Sequence, residues 1–205
     1  MNSDETNTTA TTRTTTGTSP GTDTDTTTGT EAGTGTGTGT EGGTGTGAWE
    51  VVTEAFTTAD ATRLRRAYYA EVAGRYWERS VTEAEIDQGL LDFPDDELAA
   101  PTGRFVVGRL GREALACGGI RLLDPATAEL TRVYVDGRAR GTGGGAALLR
   151  ALEEAGRELG AERVRLDTRS DLVEARALYA RHGYSEIPAY NAGQYAEHWF
   201  EKRLA

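Results

Sequence analysis

The sequence predicts an α+β fold in which a mixed sheet carries helices, and three observations predict it. Apolar residues recur at helical spacing in four stretches between Thr57 and His182. Three β-prone runs joined by short turns separate the second stretch from the third. Two strand-helix units and a pair of aromatic-rich strands then close the chain. The resulting order is β α α β β β α β α β β, and two βα units crossing right-handed after an antiparallel meander require a mixed sheet.

The elements follow in order. Trp49, Val51 and Val52 make a short strand, and Thr57 and Thr58 offer N-cap hydroxyls to a helix whose Ala61, Leu64, Tyr68 and Val72 form one stripe. Thr82 with Glu85 is a capping-box pair ahead of Ile86, Leu90 and Leu91, and the second helix ends before Pro94, Asp95 and Asp96. Phe105 to Val107 and Ala114 to Ile120 flank Leu110-Gly111-Arg112, a hairpin signature. A turn at Asp124-Pro125-Ala126 leads into a third strand from Glu129 to Val135. Leu148, Leu152, Ala155 and Leu159 then share one helical face that ends at Gly160 as a C-cap. Val164 and Leu166 form a strand. Leu172, Ala175 and Tyr179 define another helix, which stops near His182-Gly183. Tyr184 to Ile187 and His198 to Lys202 are expected to pair as the last two strands.

Composition divides the 205 residues into two polymers. Residues 1–47 hold 21 Thr and 11 Gly, with Met1, Ala10 and Ala32 as their only hydrophobic members. Such a segment cannot bury enough apolar surface to offset its ordering entropy, so a disordered, linker-like tail is expected over 1–47 and one globular domain over 48–205. The net charge of −10 is shared equally, −5 in each part. Neither part clusters Lys or Arg, which disfavours nucleic acid as a partner. A single cysteine, Cys117, excludes intrachain disulfides. With no basic n-region before an apolar stretch and no run of 18 apolar residues, neither a Sec signal nor a membrane partner is expected, and the location expected is the cytoplasm. Lys202 is the only lysine beside 21 arginines, a usage that suggests a GC-rich genome. The tail then reads as a spacer, or as an extension from a misassigned start.

The sharpest feature is Arg140-Gly141-Thr142-Gly143-Gly144-Gly145-Ala146, between a strand and a helix. Free amides at a helix N-terminus, unobstructed by side chains, make an anion cradle for a phosphate or pyrophosphate. The plain alternative is a flexible loop, but glycines placed directly before a strongly periodic helix favour a binding turn. A Walker A loop needs Lys and Ser/Thr after its last glycine, and Ala146-Ala147 supplies neither. A dinucleotide fingerprint fits Gly141-x-Gly143-x-x-Ala146, with Asp167 placed as the ribose-binding acid. Against it, five residues separate the strand from Gly141, and only 38 residues follow Asp167 to supply further parallel strands.

The third reading starts from Arg140, Gly143 and Gly145, spaced R-x-x-G-x-G. With Val133-Tyr134-Val135 before the turn and Leu178-Tyr179-x-x-x-Gly183-Tyr184 after it, the domain resembles the GNAT superfamily of acyl-CoA-dependent N-acetyltransferases, of the small bacterial stand-alone type. The resemblance covers 48–205 and implies a mostly antiparallel mixed sheet with a parallel pair around the Gly-rich turn and about four flanking helices. Leu172 departs from the pattern, standing where many members carry an Asn that contacts the pantetheine.

The resemblance further implies acetyl transfer from acetyl-CoA to a primary amine by direct attack in a ternary complex. Backbone groups of Val133, Tyr134 and Val135 would bind the pantetheine at a strand bulge, with one amide serving the developing oxyanion. The amides of Gly141, Thr142, Gly143, Gly144, Gly145 and Ala146 would take the pyrophosphate, with Arg140 adding charge. Tyr179 falls where members carry the general acid, although it also fits a core aromatic of its helix face. Glu129 has the spacing from Arg140 of the general-base glutamate in histone-type members, and equally reads as a solvated strand residue. The acceptor would lie among Tyr68, Tyr69, Tyr76, Trp77, Tyr190, Asn191, Tyr195, His198 and Trp199. His198 and His182 each have a simpler structural reading, and Cys117 reads as a small core residue. Two histidines and one cysteine set far apart argue against a metal site. A small-molecule, peptide or protein amine is the partner expected, with a homodimer left open. The competing classes are a non-catalytic acyl-CoA-binding module and a dinucleotide-binding protein.

Overall fold

A computed structural model describes residues 47–205. The disorder expected of the Thr/Gly tail therefore concerns residues that lie, but for Gly47, outside those described. Seven strands form one sheet: β1 (Trp49–Thr53), β2 (Gly103–Leu110), β3 (Glu113–Asp124), β4 (Thr127–Val135), β5 (Arg163–Thr168), β6 (Ser185–Ile187) and β7 (His198–Arg203). Four helices accompany them: α1 (Ala59–Trp77), α2 (Glu83–Asp92), α3 (Gly144–Glu158) and α4 (Val173–Arg181). The spatial order is β1-β2-β3-β4-β5-β7-β6, and among the described residues β4 with β5 is the only neighbouring parallel pair. The chain thus runs through the expected elements in the expected order. The last strand does not extend the edge but enters between β5 and β6, pairing antiparallel with both.

Alternation along β2 distributes the core between two helical layers. Val106 joins Leu148, Leu149 and Leu152 of α3, with Ile120, Val164 and Leu166 of the sheet. Its neighbours Phe105 and Val107 face the other way, onto Ala61 and Leu64 of α1. The α1 stripe is shared between two environments: Ala61 and Leu64 are fully buried, whereas Tyr68 and Val72 reach a cavity. In α2 only Ile86 of the expected stripe is buried, and Leu91 is 75% exposed. α3 closes as expected, with Gly160 in the left-handed region (φ +92°) just past its end. A charge pair ties α3 to β7, where Lys202 Nζ donates to both carboxylate oxygens of Glu153 at 2.8 Å.

The helix that walls the cavity starts at a side-chain cap. Thr58 Oγ1 accepts from the amide of Ala61 at 3.3 Å. Thr58→Ala is expected to cost about 1 kcal/mol, read as a lower urea midpoint at unchanged m-value; an unchanged midpoint would mean that packing alone holds the start of α1.

Candidate active site

β4 and β5 pair only through Thr127, Ala128 and Glu129 against Arg163, Val164 and Arg165. β4 nevertheless continues to Val135 and β5 to Thr168. The strands part beyond Glu129, and the gap opens into a cavity of about 920 Å³.

A bulge shapes the β4 wall. Cys117 pairs with Tyr134 but Gly119 pairs with Thr131, so Arg132 and Val133 together oppose Gly118. Arg132 takes φ +56°, an uncommon conformation for a residue with a Cβ. Its guanidinium holds it there, donating to Asp95 Oδ1 (2.9 Å) and to the Phe93 carbonyl (3.1 Å). Asp95 is buried and also accepts from Arg65 Nε. Past the bulge, the β5-side backbone edge of β4 has no strand partner, and Val133, Tyr134 and Val135 line the cavity.

The Gly-rich turn closes one end of the same cavity. Gly143 caps α3 with φ +94°, and Gly141 has φ +79°. A Cβ at either position would meet no atom within 4 Å, so these two glycines serve the backbone conformation and leave open space before it. The amides of Gly144, Gly145 and Ala146 form the first turn of α3 and have no intrahelical partner. Gly141, Gly143, Gly144, Gly145 and Ala146 all line the cavity. Thr142 does not: its hydroxyl donates to the Ala139 carbonyl (2.7 Å) and accepts from Trp49 Nε1 (3.0 Å), which fastens the turn to β1. Arg140 lines the cavity but is already engaged. Its NH2 group donates to both oxygens of Glu71 (2.7 and 2.6 Å) and its Nε to the Val135 carbonyl (3.1 Å), so it braces the turn against α1.

Tyr179 is a core aromatic that also reaches the cavity. The ring packs against Tyr184 and Phe200 in the core, at 5.8 and 6.1 Å between centroids, while the residue also lines the cavity. Burial, with smaller contributions from Tyr68 and Asp167, pushes its hydroxyl well above the ordinary tyrosine value. Glu129 faces the cavity with both oxygens occupied. Oε2 accepts from Arg121 Nε and NH2 (3.0 and 2.7 Å), and Oε1 accepts from the Tyr190 hydroxyl (2.8 Å).

Of the acceptor residues expected, Tyr68, Tyr69, Tyr76, Trp77, Asn191 and Tyr195 line the cavity, whereas Tyr190, His198 and Trp199 do not. Tyr190 is drawn away by its bond to Glu129 and lies 5.3 Å from the Arg165 guanidinium. His198 is held by Glu186 at Nδ1 (2.8 Å) and by Ser170 at Nε2 (3.1 Å). Cys117 is buried behind the bulge, and loss of solvent pushes its thiol up to about 12. Among the described residues no cluster of His, Cys, Asp and Glu could hold a metal, and no helix is long and apolar enough to cross a membrane.

No local pattern in the sequence marks Trp49, Glu71 or Arg132 as site residues, and Asp167 is marked as one only in the dinucleotide reading. That reading fails on topology, since one parallel pair among antiparallel strands is not a doubly wound sheet. Asp167 instead lies on the cavity wall where β5 leaves β4.

The family model described as Acetyltransferase (GNAT) family matches residues 59–184. A solved structure from Klebsiella pneumoniae, of a protein assigned to the acyl-CoA N-acyltransferases, is 29% identical, with 77% of this chain and 98% of that one covered at a TM-score of 0.60. The PaiA N-acetyltransferase of Thermoplasma acidophilum, solved with coenzyme A, is 14% identical over 76% and 99% of the two chains, at a TM-score of 0.59. A GNAT family acetyltransferase of Elizabethkingia anophelis, solved with acetyl-CoA bound, is 15% identical over 76% and 98%, at 0.52. No curated protein sequence matches significantly.

Proposed function

The chain belongs to the acetyltransferase (GNAT) family, and from that premise we propose that it transfers the acetyl group of acetyl-CoA to a primary amine by direct attack, both substrates sharing the one cavity. The observation that carries this reading is the parting of β4 from β5 beside the free N-terminus of α3. An unpartnered strand edge and an anion cradle then border a single space, as a long ligand with a pyrophosphate at one end and amide groups along its arm requires.

Each group has a task that its surroundings support. The first-turn amides of Gly144 to Ala146, with Gly143, receive the pyrophosphate. The β4 edge at the bulge pairs with the pantetheine arm, and one of its amides stabilises the negative charge that develops on the thioester oxygen. The amine nitrogen bonds to the carbonyl carbon and the carbon–sulfur bond breaks. The amine gives up one proton to solvent and the departing thiolate takes one from the Tyr179 hydroxyl, which solvent then restores. Much of the rate enhancement comes from holding the two reactants in line. Glu129, with both oxygens already accepting hydrogen bonds, is poorly suited to take the amine proton and supports the wall instead.

Thermal melts with acetyl-CoA, CoA and NAD test the proposal, followed by thiol release with a panel of amines. At 100 times the Kd, acetyl-CoA should add about 2.7 kcal/mol of apparent stability. Stabilisation by NAD without stabilisation by acetyl-CoA would overturn the reading, and tight binding with no thiol release over the panel would make the domain a binding module.

A further inference from the structure

Four carboxylates face the cavity, and three are neutralised. Glu71 pairs with Arg140 and Arg75, Glu129 with Arg121, and Glu174 with Arg75. Among the described residues Asp167 forms no ion pair, its neighbouring arginines being paired elsewhere. Its Oδ1 accepts from Asn191 Nδ2 at 2.8 Å, and Oδ2 accepts no hydrogen bond among the described residues. Burial holds its carboxyl above the ordinary value, opposed by the Asn191 bond, reinforced by Glu129 and opposed again by Arg121. A carboxylate taken partly out of water without an ion-pair partner is costly, and the Asn191 bond and the more distant Arg121 offset that cost only in part.

The same loop that fixes Asp167 builds an aromatic wall. Asn191 is itself held by Trp199 Nε1 (2.8 Å), and four residues on Tyr195 packs edge-on to Tyr76, with centroids 5.1 Å apart, and lies 6.2 Å from Phe93. These rings and Tyr69 line the cavity, yet Tyr76 remains 53% exposed and Phe93 42%. Rings left in solvent beside an unpaired anion match a ligand with an apolar body and one cationic end. The arginines of the cavity that could greet a ligand carboxylate beside Asp167 are already taken: Arg121 by Glu129, Arg132 by Asp95 and Arg169 by Asp171.

Resting on the transfer reading above, we propose that the acceptor is an arylalkyl primary amine with no carboxylate next to its nitrogen. It docks as an ammonium on Oδ2 of Asp167 and loses one proton to solvent before its nitrogen attacks, and its body lies on Tyr69, Tyr76 and Tyr195. An α-amino acid would bring its own carboxylate against Asp167, which repels it.

Thiol release at saturating acetyl-CoA with 2-phenylethylamine, L-phenylalanine and ethanolamine tests the class. The first should exceed both others in kcat/KM by about tenfold or more, and Asp167→Asn should raise its KM by about 10- to 100-fold. The acetyl-CoA melting shift of that variant should equal that of the unsubstituted protein. Should the variant not fold, the unsubstituted protein still decides: (2-phenylethyl)trimethylammonium should compete about tenfold better than neutral 2-phenylethanol. Preference for the amino acid, an unmoved KM in the variant, or equal competition by the two inhibitors overturns the substrate class. Absence of any acetyl-CoA shift overturns the transfer reading itself, so the two failures are told apart.

Discussion

Replacing Tyr179 with Phe should lower kcat for thiol release by about 100-fold or more while leaving the melting temperature and the acetyl-CoA shift unchanged. The ring contacts with Tyr184 and Phe200 are kept by Phe, so only the hydroxyl is removed. Because burial raises its pKa, that hydroxyl keeps its proton as pH rises past the ordinary tyrosine value. Tyr179 is thereby held in the donating form, and any alkaline loss of rate below about pH 10 must come from another group. Steady-state kinetics with both substrates saturating is the check, and an unchanged kcat would reduce Tyr179 to a core aromatic.

Asp95→Ala should have the largest effect on stability. The Asp95 side chain is 1% exposed and takes the guanidinium groups of both Arg65 and Arg132. Removing it leaves two partly buried cations without their anion, at a cost of about 3 to 5 kcal/mol. Because Arg132 is also the bulge residue held at positive φ, the same change should raise KM for acetyl-CoA. Urea denaturation and acetyl-CoA titration together read both effects. A loss below about 1 kcal/mol would mean that the buried pairs contribute no more than surface ones.

What the sequence could reveal follows from the range of the interactions involved. Every strand and α-helix was legible, because caps, turns and periodicity act within a few residues: Thr82 with Glu85, Gly111 in its hairpin and the glycines before α3 are local signals. The candidate CoA turn was legible for the same reason. Features set by distant segments were not. No local pattern says that β4 and β5 part after Glu129, that β7 inserts between β5 and β6, or that Leu91 stays in solvent. The acceptor residues suffered most, since Tyr190 and His198 were chosen for chemistry and nearness in sequence, and their partners Glu129, Glu186 and Ser170 decide where they point. Asp167 is the converse case. Its residue type is common at a strand end, and only the pairing of the other cavity carboxylates sets it apart.

The pair that joins α3 to β7 has a bearing on the protein's own durability. A thioester acylates free amines without any catalyst, and a protein that keeps one in its cavity is the nearest target. Lys202 is the only lysine in the sequence, and both oxygens of Glu153 hold its nitrogen. The remaining basic side chains, 21 arginines and two histidines, include no second alkylamine. Under the proposed function, the only lysine amine that an acetyl-CoA thioester could modify must first leave its carboxylate, so composition and one ion pair would shield the chain from the donor.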